Sequence, residues 1–246
     1  MRYFIKLAYN GTNYHGWQTQ PNAVSVQETV EKALSVLLKN KVEIVAAGRT
    51  DSGVHAKEMF AHFDFDEVID QTFWVPKLNS YLPKDIVIYS IFEVNATAHA
   101  RFDAIERTYE YHIHSTKDAF INELSYYHFY PLNLEKMNKA AQILLEYTDF
   151  ECFSKVNTDV FTFNCKIKNA FWQHNENQLV FTITADRFLR NMVRAIVGTM
   201  INIGQGKIEP EQLRTIIESK NRSQAGFSAP AHGLYLTQIL YPYSTE

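Results

Sequence analysis

Apolar and polar positions along this chain recur with two different periods, and the changes of period divide it into elements. From Tyr3 to Tyr9 the period is two, with Ile5, Leu7 and Tyr9 on one side, which predicts a strand. Ser25-Val-Gln-Glu28 has the spacing of a capping box and opens a helical stretch whose apolar stripe is Val30, Ala33, Leu34, Leu37 and Leu38. Val42–Ala47 and Phe60–Phe65 read as strands, Gln71–Tyr81 as a short helix and Ile86–Phe92 as a strand. Strand, helix, strand, strand, helix, strand is the split βαβ order.

The second half repeats that order of elements, though not its residues. Thr108–His114 alternates as a strand, and Leu134–Tyr147 is helical with Leu134, Met137, Ala141, Leu144 and Leu145 inward. Ile167–Gln173 and Leu179–Thr184 form a hairpin pattern, Phe188–Ile203 and Glu211–Ser219 read as helices, and Leu234–Leu240 closes as a strand. Gly204-Gln-Gly206 ends the first of those helices. The fold class expected is therefore α+β: two ferredoxin-like or RNA-recognition-like β-α-β-β-α-β halves, residues 1–105 and 106–246, with antiparallel sheets flanking a cleft. The join falls near Arg101–Glu106 and carries no low-complexity linker. Such folds host many functions, so the architecture alone does not name one.

Composition narrows the class. With 46% hydrophobic and 14% aromatic residues, 246 residues can bury a substantial core. Two cysteines, Cys152 and Cys165, argue against a disulfide framework and for a reducing compartment. The Met-Arg-Tyr-Phe-Ile-Lys start lacks the apolar run of a signal peptide, and no window reaches the length of a membrane span, so a soluble cytoplasmic protein is expected. Charge does not announce a nucleic-acid binder: residues 1–105 carry 10 Lys/Arg against 12 Asp/Glu, and residues 106–246 carry 14 against 15. Phosphate contacts must then come from local clusters. The best is Arg187, Arg190 and Arg194, whose spacing places all three on one face of the predicted 188–203 helix, where a solvated face is the ordinary reading.

The most informative stretch is Ala47-Gly48-Arg49-Thr50-Asp51-Ser52-Gly53-Val54-His55-Ala56, which puts Arg49 and Asp51 on a glycine-bracketed turn after an apolar run. Turns on a rigid scaffold present reactive groups, although Asp, Ser and Gly are also ordinary turn residues. The string resembles the signature of the TruA family of tRNA pseudouridine synthases. Five further blocks resemble that family in order: Tyr9-Asn-Gly-Thr-Asn-Tyr14-His-Gly-Trp17-Gln-Thr-Gln20, Leu78-Asn79-Ser-Tyr-Leu82-Pro83-Lys-Asp85-Ile86, the segment from Ala98 through His99, Arg101 and Phe102 to Arg107, Tyr109 and Tyr111, then Phe188–Arg194, and Gly233-Leu234-Tyr235-Leu236. Together they span nearly the whole chain. Asn10 departs from the family, which usually has Asp there; Asn fits the same turn.

The resemblance implies an isomerase that converts uridine to pseudouridine at positions 38 to 40 of the tRNA anticodon stem-loop. It implies a homodimer in which each tRNA spans both subunits, letting a mildly acidic chain assemble a basic cleft. Residues 1–105 would carry the catalytic loop and residues 106–246 would complete the cleft. The reaction needs no redox step, no metal and no small-molecule cofactor, and no membrane partner is implied. By resemblance Asp51 is the catalytic carboxylate, acting as nucleophile or as base at the sugar. An ionised Asp in a dry pocket needs a cation, and the family motif makes Arg194 that partner. Tyr109 stacks on the target uracil and leaves Tyr111 as core, where the strand pattern alone would put both in the core. Leu236 closes the pocket beneath the base, and Arg49 fills the space of the extruded uridine and contacts phosphate, the alternative being a surface ion pair.

Other site classes fare poorly on the sequence. His112 and His114 lie at i, i+2 on one strand face without a third ligand at a recognisable spacing. The zinc deaminase pattern with its paired cysteines is absent, as is a glycine-rich phosphate loop. A glycosidase would need a second carboxylate, for which Asp103 is the nearest candidate by motif. A non-catalytic RNA-binding or RNA-folding protein on the same scaffold is the competing reading. Such a protein would be expected to have lost one of Arg49, Asp51, Tyr109 or Arg194.

Overall fold

The computed structural model describes residues 1–156 and 161–244. Along the chain run β1 (Arg2–Tyr9), α1 (Val26–Leu38), β2 (Val45–Ala46), β3 (His55–Asp64), α2 (Gln71–Tyr81), β4 (Ile86–Val94), β5 (Glu106–His114), β6 (Tyr126–Tyr127), α3 (Leu134–Ile143), β7 (Ile167–Asn175), β8 (Gln178–Ala185), α4 (Met192–Gly204), α5 (Gln212–Glu218) and β9 (Leu234–Leu240). This is a mixed α+β fold with mostly antiparallel strand pairing. It divides into two compact units, Met1–Ile105 with Leu236–Glu246, and Glu106–Tyr235. Residues 236–246, which the sequence reading counted with the second half, therefore belong with the first.

In the first unit the strand order is β4-β1-β3-β9, with β2 also on β3. β1 pairs antiparallel with β3 (Ile5↔Ala61) and with β4 (Ile5↔Ile91). The period-two pattern of β1 holds, since Ile5, Leu7 and Tyr9 are buried, and Phe4 on the opposite face is buried as well. An aromatic cluster covers Phe4: Phe60, Phe92 and Tyr241 have ring centroids within 5.4–6.4 Å of it. Tyr241 thus ties the C-terminal tail to this unit, and the Ile105 amide donates to the Leu240 carbonyl at 2.8 Å beside it. Ser25 caps α1 as its spacing predicts, its Oγ accepting from the Glu28 N–H at 3.2 Å.

Two strands depart from the pattern. The alternation over 42–47 yields a ladder only at Val45–Ala46, because the preceding backbone is taken by side chains of α1. Ser35 Oγ accepts from the Val42 N–H at 2.9 Å, Glu31 Oε1 accepts from the Ile44 N–H at 2.9 Å, and Gln27 Nε2 donates to the Ile44 carbonyl at 3.2 Å. β3 starts at His55 and not at Phe60, since Ala56 and Met59 pair with Tyr9 and Leu7 of β1.

In the second unit β8 lies between β5 and β7 and is antiparallel to both (Tyr109↔Ile183, Trp172↔Phe181). The short β6 adds to β5 in parallel (Ile113↔Tyr126). Asn138 on α3 is bonded twice to the Trp172 backbone on β7, at 3.0 and 2.8 Å, and fixes helix to sheet. The predicted 134–147 helix ends at Ile143 and tightens into a 3-10 turn over Leu144–Glu146. The predicted 188–203 helix begins only at Met192. Asn191 sits in the left-handed region with φ 67°, which a right-handed helix cannot pass through. Arg187 and Arg190 consequently precede the helix, and the three-arginine face does not exist; only Arg194 is on α4. None of the helices among the described residues is long and apolar enough to cross a membrane.

Candidate active site

The turn carrying Asp51 is built by residues far away in sequence. The Thr50 carbonyl accepts from the Trp17 N–H at 3.2 Å, and the Thr50 hydroxyl is bonded to that of Tyr9 at 2.8 Å. Two residues on, the Tyr14 carbonyl accepts from the Gly53 N–H at 3.2 Å and from Ser52 Oγ at 3.3 Å. The loop also closes on itself, the Val54 N–H donating to the Asp51 carbonyl at 3.1 Å. Asp51 is half-buried and Arg49 is exposed. The backbone on both sides of the carboxylate is thereby fixed, the condition for a reactive side chain to keep one aim.

Segment 14–17 lies against that turn because Gly16 permits it. Its φ is +89°, and a Cβ there would stand 2.5 Å from the Thr50 carbonyl oxygen and 3.1 Å from the Asp51 carbonyl carbon. A third motif anchors this segment in turn. Asp85 accepts from the Tyr14 hydroxyl at 2.6 Å and from Asn13 Nδ2 at 3.1 Å, and its carbonyl accepts from the Asn10 N–H at 2.9 Å. Burial and the adjacent Asp85 carboxylate hold the Tyr14 hydroxyl well above the ordinary phenol range, so it stays a donor. Asn79 locks the start of β4 by pairing its amide with both the N–H and the carbonyl of Ile88, each at 2.8 Å. His55, at the start of β3, accepts from the Gly11 N–H at 3.0 Å through Nδ1. Three blocks that read as separate family strings are one mechanical assembly around Asp51.

Asn10 needs no special account. Its Oδ1 accepts from the Thr12 N–H at 3.0 Å and the Thr12 hydroxyl at 2.7 Å, capping the 3-10 turn Gly11–Asn13. An aspartate oxygen would accept the same two bonds.

Leu236, on β9 of the same unit, is 1% exposed. The second unit holds Tyr109 and Arg194. Tyr109 on β5 is half-buried, with Phe188 edge-on at 5.1 Å. Tyr111 two residues on is fully buried, and its hydroxyl donates to the Pro230 carbonyl at 2.8 Å. Arg107 Nη1 donates to the Asp186 carbonyl at 2.8 Å.

Arg194 stands in the first turn of α4, where the helix dipole disfavours a cation by roughly 0.3–1 kcal/mol. Two bonds orient it: its Nε donates to the Ala229 carbonyl at 2.7 Å, and its carbonyl accepts from the Ala229 N–H at 3.0 Å. Segment 226–229 reaches it because Gly198 lacks a side chain; a Cβ there would fall 1.8 Å from the Phe227 carbonyl oxygen. Thr199 Oγ1 accepts from the Gly226 N–H at 2.8 Å on the next residue. The sequence names Arg194 as a candidate, but of this support it carries no more signal than a Gly-Thr pair inside an apolar helix.

Neither cysteine has the character of a nucleophile: burial pushes the Cys152 and Cys165 thiols up to about 12. His112 is bonded to Gln178 at 2.9 Å and Glu110 at 3.0 Å. Among the described residues no group of three or more His, Cys, Asp and Glu side chains converges as a metal site would require.

Residues 6–103 and 140–242 match the family described as tRNA pseudouridine synthase. The chain is 55% identical over 245 residues to tRNA pseudouridine synthase A of Porphyromonas gingivalis, spanning 98% of this chain and 97% of that one. Identity to the Bacillus subtilis tRNA pseudouridine synthase A is 38% over 245 residues, spanning 98% and 99%. For the Clostridium acetobutylicum protein of the same name it is 40% over 239 residues, spanning 96% and 98%. Matches of this extent over both units make the chain a member of the tRNA pseudouridine synthase family, isomerases that convert uridine to pseudouridine.

Proposed function

We propose that this chain isomerises uridines at positions 38 to 40 of the tRNA anticodon stem-loop, with Asp51 as the catalytic carboxylate. The observation that carries this reading is the three-motif clamp on the Asp51 turn, which holds one half-buried carboxylate in a fixed backbone. The N1–C1′ bond breaks, the uracil turns, and C5 bonds to C1′; the proton on C5 leaves to solvent and N1 gains one. Asp51 acts at the sugar or at the base, as nucleophile or as general base. Arg194 supplies the cation that keeps it ionised in a dry site, Tyr109 stacks on the uracil, and Leu236 closes the apolar floor. Arg49, exposed two residues from Asp51, fills the space left when the uridine is extruded, a step that costs a few kcal/mol.

The proposal includes a cytoplasmic homodimer and a pair of ferredoxin-like halves with an RNA-binding cleft. The antiparallel pairing of β1 with both β4 and β3, with the short β2 on β3, supports the reading of that half. The test is tritium release from a tRNA transcript labelled at C5 of uridine, wild type against Asp51→Asn. Release by wild type alone is expected. Release by both would remove Asp51 from the mechanism, and release by neither, with tRNA still bound, would favour the non-catalytic RNA-binding reading or a different RNA substrate.

A further inference from the structure

The motif around His99 has no part in the proposed chemistry, yet its loop is densely hydrogen-bonded. All six amides from Ala98 to Asp103 donate a hydrogen bond. Ala98 donates to the Asn95 carbonyl, His99 to Asp103 Oδ2, Ala100 to His62 Nδ1, Arg101 and Phe102 both to His99 Nδ1, and Asp103 to the His99 carbonyl, at 2.8–3.3 Å. The Tyr241 hydroxyl donates to the Ala100 carbonyl at 2.6 Å, and that of Tyr243 to Asp103 Oδ2 at 3.0 Å. Burial and the neighbouring His99 lower the His62 pKa to about 4, so His62 remains an acceptor at neutral pH.

This rigid loop displays a phenylalanine to solvent. Phe102 is 75% exposed, with the His99 ring packed behind it at 4.2 Å and the Arg101 guanidinium 5.8 Å from its centroid. Scattered exposed apolar residues are ordinary on protein surfaces. This one differs in that its loop backbone is held by bonds from β1, β3 and the C-terminal tail, and its neighbour is an exposed cation. An exposed aromatic face on a held backbone beside an arginine is the chemistry that stacks an unpaired base and holds its phosphate.

We infer that Phe102 and Arg101 form a second RNA-contacting site, a stacking platform for an unpaired nucleotide other than the uridine being modified. This rests on the reading that tRNA is the substrate. The separation follows from β3: Asp51 precedes its His55 end, whereas the platform hangs on His62, seven residues further on. At about 3.3 Å per residue that is roughly 23 Å. The platform serves affinity and register and takes no part in the chemistry.

Direct binding of a tRNA transcript, measured as Kd with sedimentation of each free protein, separates this from the catalytic reading, because it needs no turnover. Phe102→Ala should raise Kd and KM about five- to tenfold, the lower part of the range for losing one base–aromatic stack. At saturating tRNA kcat should move less than twofold. Phe102→Trp should bind like wild type, and Arg101→Ala should reduce the slope of log Kd against log salt by about one. A Kd for Phe102→Ala within twofold of wild type would overturn the inference. So would Phe102→Trp binding as poorly as Phe102→Ala, since a stacking face would then not be what matters. A change of sedimentation in Phe102→Ala would likewise overturn it, by assigning the ring to a contact between copies of the chain. Wild-type protein that binds tRNA without forming pseudouridine would instead contradict the catalytic proposal and leave the platform standing.

Discussion

Gly16→Ala tests whether the clamp on the Asp51 turn controls the reaction. At φ +89° an L-residue is strained by about 1–2 kcal/mol. The new Cβ would also stand 2.5 Å from the Thr50 oxygen, where ordinary contact begins at 3.4 Å, so the carbonyl has to retreat by about 0.9 Å. That carries the Trp17 N–H···Thr50 bond from 3.2 Å beyond hydrogen-bonding range, a further loss of about 0.5–1.5 kcal/mol. The total of about 1.5–3.5 kcal/mol lowers Tm by about 3–14 °C and leaves a domain of ordinary stability folded. Asp51 follows Thr50 directly, and a displacement near 1 Å at a reacting group costs about a hundredfold in rate. The expected result is a fall in kcat of about that size at a temperature where circular dichroism shows the variant fully folded. Gly206→Ala is the control: its φ is +72°, no atom lies within 4 Å of the added Cβ, and it should lose stability with kcat intact. A folded Gly16→Ala enzyme with kcat within threefold of wild type would refute the argument, as would an equal loss in Gly206→Ala.

The same clamp is reached through Asp85: Asp85→Ala strands the Tyr14 hydroxyl and should cost about 2–3 kcal/mol by thermal melting, more than Tyr14→Phe, with kcat reduced in both. A neutral effect of Asp85→Ala would separate that motif from the site. Acid should destabilise the protein in a defined window. The His62 pKa is about 4 when folded against 6.5 ordinarily, so between those values the unfolded chain binds more protons; stability is full above about pH 6.5 and falls until about pH 4, by on the order of 2–3 kcal/mol. Burial lowers His114, His128 and His232 in the same sense, so His62→Asn should shallow the fall of Tm in that window without abolishing it; an unchanged slope would remove His62 from the account.

Much of the fold was legible because its elements obey one local rule each. The Ser25 cap, the 71–81 helix and the closing strand at 234–240 appear where the pattern puts them. The misreadings arise where a backbone conformation or a long-range bond overrides the pattern. Apolar periodicity runs unbroken through 188–203, but a left-handed Asn191 splits it and removes Arg187 and Arg190 from the helix. Alternation at 42–47 is real as burial, yet α1 side chains take the hydrogen bonds a strand would use. For the candidate site, the sequence offers names for the residues but not the contacts that hold them. Nothing local to Asp85 tells that it holds Tyr14, since that bond joins residues 71 apart in the chain; the Asn79 bonds to Ile88 span only nine residues but depend on how α2 lies against β4.

Asn10 gives the sharpest check on reading departures from a family pattern. A missing carboxylate in a motif next to a reactive loop invites the inference of lost chemistry. Its surroundings argue otherwise: Asn10 is exposed, its side-chain oxygen accepts from the N–H and hydroxyl of Thr12, and both are donors that an amide oxygen and a carboxylate satisfy alike. The backbone bond to Asp85 does not depend on the side chain. Asn10→Asp should therefore change stability by no more than about 0.5 kcal/mol and kcat/KM by less than twofold, read from melting curves and tritium release on the same preparations. A gain or loss of more than threefold in kcat/KM would show that the charge, and not the cap, is what the position supplies, and that the Thr12 bonds are the lesser part of its role.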